Sequence, residues 1–166
     1  MLFSMNRLLY YTNMISKLIK NDFGIKEKED YSCSEKILYG ANQVYELGLK
    51  KESLIMAAGL SAGVYSEKLC GAVSASAMVL AKLFVKDRAH EGDYCKGLIS
   101  EFVSRFEADM NTTSCKDLKE DFRTEEDGCK AIILRAAEIL DKIIQREQYE
   151  PVATGLDSAK NPEMRI

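Results

Sequence analysis

The sequence predicts an all-α protein: a compact bundle of about five long helices, with several short ones, around a buried central helix at about 66–84. Apolar residues recur at spacings of three and four in most segments, which is the period of one helix face. No segment has the alternation of apolar and polar residues that is typical of a β-strand. Only 2 prolines occur in 166 residues, so little in the sequence interrupts helices.

The first predicted helix lies within the N-terminal segment 1–21. Its apolar residues fall on one helix face: Met5, Leu8, Leu9, Tyr11, Ile15, Leu18 and Ile19. Arg7 and the lysines of this segment would also suit a membrane surface. A stripe of this kind packs more often against a protein core, so we expect an amphipathic helix that covers the bundle.

Residues 32–35 predict the start of the second helix. They have the sequence Ser-Cys-Ser-Glu, which is the S-x-x-E form of a capping box, and Gly48 is placed to end the helix. A short helix is predicted next, over 52–60.

The central helix is predicted to begin at residues 66–68 and to continue to Phe84. The stretch 70–81 carries no charge and consists mostly of small residues. A helix that is apolar around its whole circumference is typical of a buried element, so we expect other helices to pack closely against it.

Three further helices are predicted towards the C-terminus. They comprise one at 94–110, a short one that begins at Ser114 and a long one that begins at Thr124. Helical periodicity ends at Tyr149. The sequence therefore predicts a single domain over 1–149 and a C-terminal tail over 150–166 that adds little to the fold.

Composition narrows the classes of function and location. The 23 basic and 26 acidic residues give a net charge of −3, whereas nucleic-acid-binding proteins usually have a basic excess. No apolar run approaches the roughly 20 residues that cross a bilayer, and no secretory signal is recognisable. We therefore expect a cytoplasmic protein with no membrane span and no nucleic-acid partner.

Cysteines are the residues most suggestive of chemistry. There are five of them, at positions 33, 70, 95, 115 and 129. No two form a C-x-x-C pair, which excludes a zinc ribbon and a thioredoxin-type motif. In a reducing cytoplasm, thiols serve metal or redox chemistry more often than structural disulfides.

Two of the cysteines are predicted at the first position of a helix. Cys33 follows Ser32 and Cys115 follows Ser114, with each serine as the N-cap. At this position the helix dipole favours a thiolate and lowers the thiol pKa.

Two more cysteines are predicted close to helix starts. Cys70 lies in the first turns of the central helix. Cys129 lies early in the last helix, after an acidic run at 125–127 that would oppose a thiolate unless a metal or a neighbouring group offsets it. Taken singly, each cysteine would be interpreted as a small buried hydrophobe. Four thiols near four helix starts favour a shared site, whereas Cys95 lacks the Ser-Cys start and is predicted to be a packed or partly exposed spare thiol.

The same residues resemble a known family. Ser-Cys-Ser at 32–34, Cys-Gly-Ala at 70–72 in an alanine-rich helix, Cys115 before Asp-Leu, and Cys129 are similar to the redox-active proteins named for their C_GCAxxG_C_C pattern. These are small, mostly helical bacterial and archaeal proteins, and the resemblance covers about 15–144. It implies that the functional cysteines, as catalytic, cofactor-binding or metal-ligating residues, are Cys33, Cys70, Cys115 and Cys129, and that Cys95 is extra.

This sequence departs from the family pattern in two places. Ala75 stands where the pattern has its last glycine, and the glycine-rich loop before Cys70 is reduced to Gly-Leu-Ser-Ala-Gly at 59–63. Both changes add Cβ atoms where the backbone approaches its neighbours closely.

The first functional hypothesis is a cysteine redox site. Four thiolates match the ligand number of a [2Fe–2S] cluster, which we favour slightly, or of a structural zinc. A cluster would transfer electrons to a redox partner protein. Without a metal, a pair such as Cys33 and Cys70 could cycle between dithiol and disulfide.

The second hypothesis is a non-catalytic interaction module in which the cysteines are merely packed. The N-terminal helix and the small-residue central helix would then serve contacts with a partner, including a homodimer. A Cys–His enzyme is a weaker third alternative, because the only histidine, His90, lies in a charged turn where solvated residues are usual.

Overall fold

The computed structural model describes residues 14–149, which contain seven α-helices. They are α1 (Ile15–Lys20), α2 (Cys33–Val44), α3 (Lys51–Leu54), α4 (Gly71–Phe84), α5 (Tyr94–Met110), α6 (Cys115–Phe122) and α7 (Lys130–Tyr149). A 3₁₀ helix, Ile55–Leu60, continues α3. The described residues form no β-strand, so the all-α prediction is confirmed. Within them, no helix combines the length and the apolar character needed to cross a membrane.

Helix α4 is the centre of the bundle. It packs against α2, α5 and α7. Half of its residues are buried, and nearly all of these are small: Gly71, Ala72, Val73, Ala75, Ser76, Val79 and Leu80. Because these side chains are short, neighbouring helices can approach the α4 backbone closely. The prediction of a buried, small-residue central helix is confirmed. Its small residues pack within the core of the same chain.

The central helix begins later than predicted, at Gly71 instead of residues 66–68. The preceding segment, Gly63–Glu67, contains left-handed backbone at Val64, Tyr65 and Glu67, where φ is positive. This conformation is unfavourable for residues other than glycine, and most of all for β-branched valine. A regular α-helix therefore cannot extend back through this segment.

Residues 68–70 pair with residues 113–115 in place of continuing the helix. The Cys70 N–H donates to the Thr113 carbonyl at 2.9 Å, and the Cys115 N–H donates to the Lys68 carbonyl at 2.6 Å. Leu69 and Ser114 form an isolated antiparallel bridge between them. This pairing places the chain just before α4 beside the chain just before α6.

The last helix also begins later than predicted, at Lys130 instead of Thr124. Residues 124–128 form a closed turn. The Thr124 N–H donates to the Gly128 carbonyl at 3.2 Å, and the Gly128 N–H donates to the Thr124 carbonyl at 3.1 Å. Gly128 has a φ of +57°, which suits glycine. Cys129 therefore lies immediately before α7, and its carbonyl accepts from the Ile133 N–H at 3.0 Å.

Other predicted boundaries agree with the structure to different degrees. Residues 94–110 match α5, and 52–60 matches α3 with its 3₁₀ continuation. Helix α2 ends at Val44, before the predicted stop at Gly48. Of the N-terminal helix predicted in 1–21, only α1 lies within the described residues. Positions 1–13 and the tail at 150–166 lie outside them.

The buried carboxylate of Asp141 joins α7 to α1 and α2. It accepts from the backbone N–H groups of Ile15 at 3.1 Å and Ser16 at 2.9 Å, and from the Tyr45 hydroxyl at 2.5 Å. Asp141 is fully buried. The burial of Asp141 was not predicted from the sequence, because acidic residues on an amphipathic helix are usually exposed.

Candidate functional site

Cys33 is positioned by the N-terminal cap of α2. The Glu35 N–H donates to the Ser32 hydroxyl at 3.4 Å, and the Glu35 carboxylate accepts from the Ser32 N–H at 2.9 Å, so the predicted capping box is present. Cys33 is the first residue of the helix and is half-buried. The cap thus fixes the backbone from which this thiol projects.

Cys70 and Cys115 are positioned by the backbone pairing of residues 68–70 with 113–115. Cys70 is the N-cap residue of α4, and Cys115 is the first residue of α6, where the Ser114 hydroxyl accepts from the Asp117 N–H. Both thiols are buried. Because the hydrogen bonds run through the two cysteine N–H groups themselves, the two backbones are held side by side.

Gly71 allows the Cys33 thiol to approach the start of α4. A Cβ atom at this position would lie 2.7 Å from the Cys33 Sγ and 2.5 Å from the Leu60 carbonyl oxygen. A Cβ at Gly63 would likewise lie 3.0 Å from the Cys115 Cβ. Both glycines are therefore required by close approach, and Gly63 also by its φ of +61°. Sequence analysis did not assign either glycine to the site.

One cavity of about 830 Å³ is lined by all four of the predicted cysteines. Cys33, Cys70 and Cys115 come from the helix starts described above, and Cys129 comes from the residue before α7. Cys95 is buried on α5 and does not line this cavity. The structure thus brings together thiols that are far apart in the sequence, although their catalytic and ligand roles stay predictions.

Burial dominates the acid–base behaviour of three of these thiols. It raises the pKa of Cys70 to about 12, with a smaller contribution from the neighbouring Cys33. It also raises the pKa of Cys115 and of Cys129. A buried thiolate lacks solvation, so the protonated form is favoured. The expectation of a lowered pKa for Cys115 is therefore wrong, because burial, which raises the pKa, outweighs the lowering influence of Lys119.

Positive charges also surround the thiols. Lys36, Lys119 and Arg123 line the same cavity. At Cys129, burial and the Cys33 thiol raise the pKa, whereas Arg123, Lys119 and Lys36 each lower it. The sequence predicted that the acidic run at 125–127 would oppose a thiolate at Cys129 unless a metal or a neighbouring group offset it, and these three cations are such neighbours. That interpretation placed the acidic run on the same helix turn as the thiol, whereas in the structure it belongs to a separate turn.

The four thiols match a metal-binding set in kind and number, since iron–sulfur clusters and structural zinc both take four cysteines. Within residues 14–149, however, no group of three or more His, Cys, Asp or Glu side chains is arranged to hold a metal ion. The arrangement as it stands does not fit a resident metal. The prediction that Cys33, Cys70, Cys115 and Cys129 ligate one stays a prediction.

His90 lies in the exposed connection between α4 and α5 and does not line the cavity. A base that abstracts a proton must come within hydrogen-bonding distance of it. The structure therefore gives no support to a Cys–His nucleophile at these thiols.

Comparison with known proteins identifies the family. Searches of curated proteins and of solved structures each found no match. The model of the family described as "Putative redox-active protein (C_GCAxxG_C_C)" matches residues 31–143, which is more than half of the chain and includes all four cavity-lining cysteines. The chain therefore belongs to the C_GCAxxG_C_C family.

Proposed function

We propose that this protein carries out dithiol–disulfide redox chemistry, with Cys33 and Cys70 as the reacting pair. The observation that carries the proposal is the contact between the Cys33 Sγ and Gly71, the residue next to Cys70. Cys115 and Cys129 line the same cavity.

Accessibility assigns different roles to the two thiols. Cys33 is half-buried, so it is the thiol that attacks a substrate disulfide. Cys70 is buried and has a pKa of about 12, so it remains protonated until a mixed disulfide forms beside it. Cys70 then attacks the Cys33 sulfur, the bond between Cys33 and the substrate breaks, and the substrate sulfur leaves and takes up the Cys70 proton as the Cys33–Cys70 disulfide forms.

The test is a redox titration of cysteine variants under anaerobic conditions. We expect Cys33→Ser and Cys70→Ser each to abolish the dithiol–disulfide redox couple, because a single remaining thiol of the pair cannot form the disulfide. Cys95→Ser is the matched control and should keep the couple, because Cys95 does not line the cavity. The extent of oxidation is measured by mass spectrometry after alkylation of free thiols.

Three outcomes would contradict the proposal. Loss of the couple in Cys95→Ser, with retention in the other two variants, would show that the pair is misassigned. A brown protein containing iron and acid-labile sulfide after anaerobic purification would favour a [2Fe–2S] cluster, and zinc would favour a structural metal. A colourless, metal-free protein with four unreactive thiols and no couple would favour the interaction module.

A further inference from the structure

Residues 62–69, which we call the strap, lie between the 3₁₀ helix and α4 and have a strained backbone. Positive φ values occur at four consecutive residues, 62–65, and again at Glu67. Glycine adopts this left-handed backbone readily, but Gly63 is the only glycine among these five residues. The others adopt it at a steric cost, which is largest at the β-branched Val64. Such strain persists only where surrounding contacts enforce it.

Two hydrogen bonds from α6 hold the strap in this conformation. The Lys119 ammonium donates to the Glu67 carboxylate at 2.8 Å, and the Cys115 N–H donates to the Lys68 carbonyl at 2.6 Å. Residues 64–69 are all exposed, so their side chains add little packing. An ion pair near the surface also contributes little stability. The strap is therefore a strained segment that few contacts hold to the bundle.

The strap covers Cys115. This residue is only 5% exposed. Gly63 is buried beside it, and a Cβ atom at Gly63 would lie 3.0 Å from the Cys115 Cβ. Ala62 lines the cavity together with Cys115. Movement of the strap away from α6 would therefore expose the Cys115 thiol and open the cavity on this side.

We propose that the strap is a lid, which opens locally while the helical bundle stays folded and gives reactants access to the Cys115 thiol. Opening breaks the two hydrogen bonds to α6, but it also releases the left-handed strain, so it costs far less free energy than global unfolding. Lids and ligand-binding loops generally come from the least stable parts of a fold. The proposal concerns access to the cavity, so it does not depend on which chemistry the thiols perform.

Amide hydrogen exchange of the reduced, full-length protein measures this opening. The Cys115 N–H reports the bond to the strap, and the Ile133 N–H, which donates to the Cys129 carbonyl at 3.0 Å, reports the start of α7. After correction for intrinsic exchange rates, we expect the Cys115 N–H to exchange at least about tenfold faster than the Ile133 N–H. Its exchange should also depend less on added urea, because local opening exposes less surface than global unfolding.

The variant Val64→Asn tests the role of the strain. Asparagine tolerates left-handed backbone better than valine, so the closed strap should become more stable and exchange of the Cys115 N–H should slow about fivefold. Alkylation of the Cys115 thiol should slow by the same factor, because both reactions require the open strap. Alkylation of Cys95 on α5 should be unchanged, which provides an internal control.

The variant Glu67→Gln tests the contact with α6 and should have the opposite effect. Loss of the ion pair with Lys119 should speed exchange of the Cys115 N–H about threefold. The amide is the readout for this variant, because the released ammonium would itself increase the reactivity of a nearby thiol. Glu107→Gln, at an exposed position on α5, is the matched control and should leave the exchange rate unchanged.

Three results would overturn the lid. The first is exchange of the Cys115 N–H with the full urea dependence of global unfolding, which would mean that the strap does not open by itself. The second is unchanged exchange and alkylation of Cys115 in Val64→Asn, and the third is unchanged exchange in Glu67→Gln. None of these measurements uses the Cys33–Cys70 disulfide, so the lid and the dithiol function stand or fall separately.

Discussion

Replacing Gly71 with alanine is expected to lower the free energy of unfolding by about 2–3 kcal/mol, the cost of forcing an extra methyl group into a packed interior. The new Cβ would lie 2.5 Å from the Leu60 carbonyl oxygen and 2.7 Å from the Cys33 Sγ, and real Cβ contacts essentially never fall below 3.0 Å. The Leu60 oxygen belongs to the backbone, so it cannot rotate away as a side chain can. Urea unfolding of the reduced protein measures the loss.

The matched control for this variant is Gly97→Ala. Gly97 lies within α5, and a Cβ there would have no neighbour within 4 Å. Alanine is a better helix former than glycine, so this change should stabilise the protein by about 0.5–1 kcal/mol. The two substitutions are chemically identical and should have opposite signs. If Gly71→Ala were as stable as the wild type, the close approach of Cys33 to α4 would be incorrect.

Gly71→Ala should also disturb the chemistry of Cys33. Relief of the clash requires the thiol to move away from the start of α4, so the rate of Cys33 alkylation should change in Gly71→Ala. The Cys95 rate should stay the same, because Cys95 lies outside the cavity. A change at both cysteines would instead indicate general loosening of the fold.

Replacing Asp141 with asparagine is expected to cost about 2–3 kcal/mol of unfolding free energy, the usual penalty for an unsatisfied buried donor. The carboxylate accepts from two backbone N–H groups and one hydroxyl. An asparagine side chain has one acceptor oxygen, so its NH₂ group would face another donor. Chemical denaturation measures the change, and Asp121→Asn on the exposed side of α6 is the control, with an expected effect below about 0.5 kcal/mol.

The pH dependence gives a second measure of Asp141. Burial raises the pKa of this carboxyl above its usual 3.8, although its hydrogen bonds to Ser16 and Tyr45 oppose the shift. The folded state therefore holds the proton more tightly than the unfolded state, and stability falls as pH rises from the ordinary pKa through the folded pKa. The Asp141→Asn variant has no titrating group at this position. The difference in unfolding free energy between the wild type and this variant should therefore decrease as pH rises over the same interval. A deficit that widens as pH rises would mean that the shift has the opposite sign.

Helix content and the four cysteines of the cavity were predictable, the first from local signals and the second from local signals together with the family pattern. The S-x-x-E box before Cys33 forms as expected, and the small-residue run at 70–81 is buried as expected. The four cysteines were selected by their positions near helix starts and by the family pattern, and all four line one cavity.

The features that the sequence could not indicate arise from contacts between distant segments. The start of α4 is delayed because residues 68–70 bond to residues 113–115, which are 45 positions further on. The field at Cys129 comes from Lys36 and the end of α6, and no local pattern reveals that these meet. Asp141 is buried because Tyr45 and the start of α1 reach it. Burial of Cys115 reverses the pKa shift that its helix position alone would give.

The separation of Cys33 from Cys70 along the chain links oxidation to conformational entropy. A disulfide between them would close a loop of 38 residues, counting both cysteines. Such a covalent ring restricts the denatured ensemble and is worth about 4 kcal/mol in the chain-entropy account. By thermodynamic reciprocity, the native state would favour ring closure by the same amount. An oxidised sample should therefore resist heating better than a reduced one, so melting temperature would report the oxidation state of the chain.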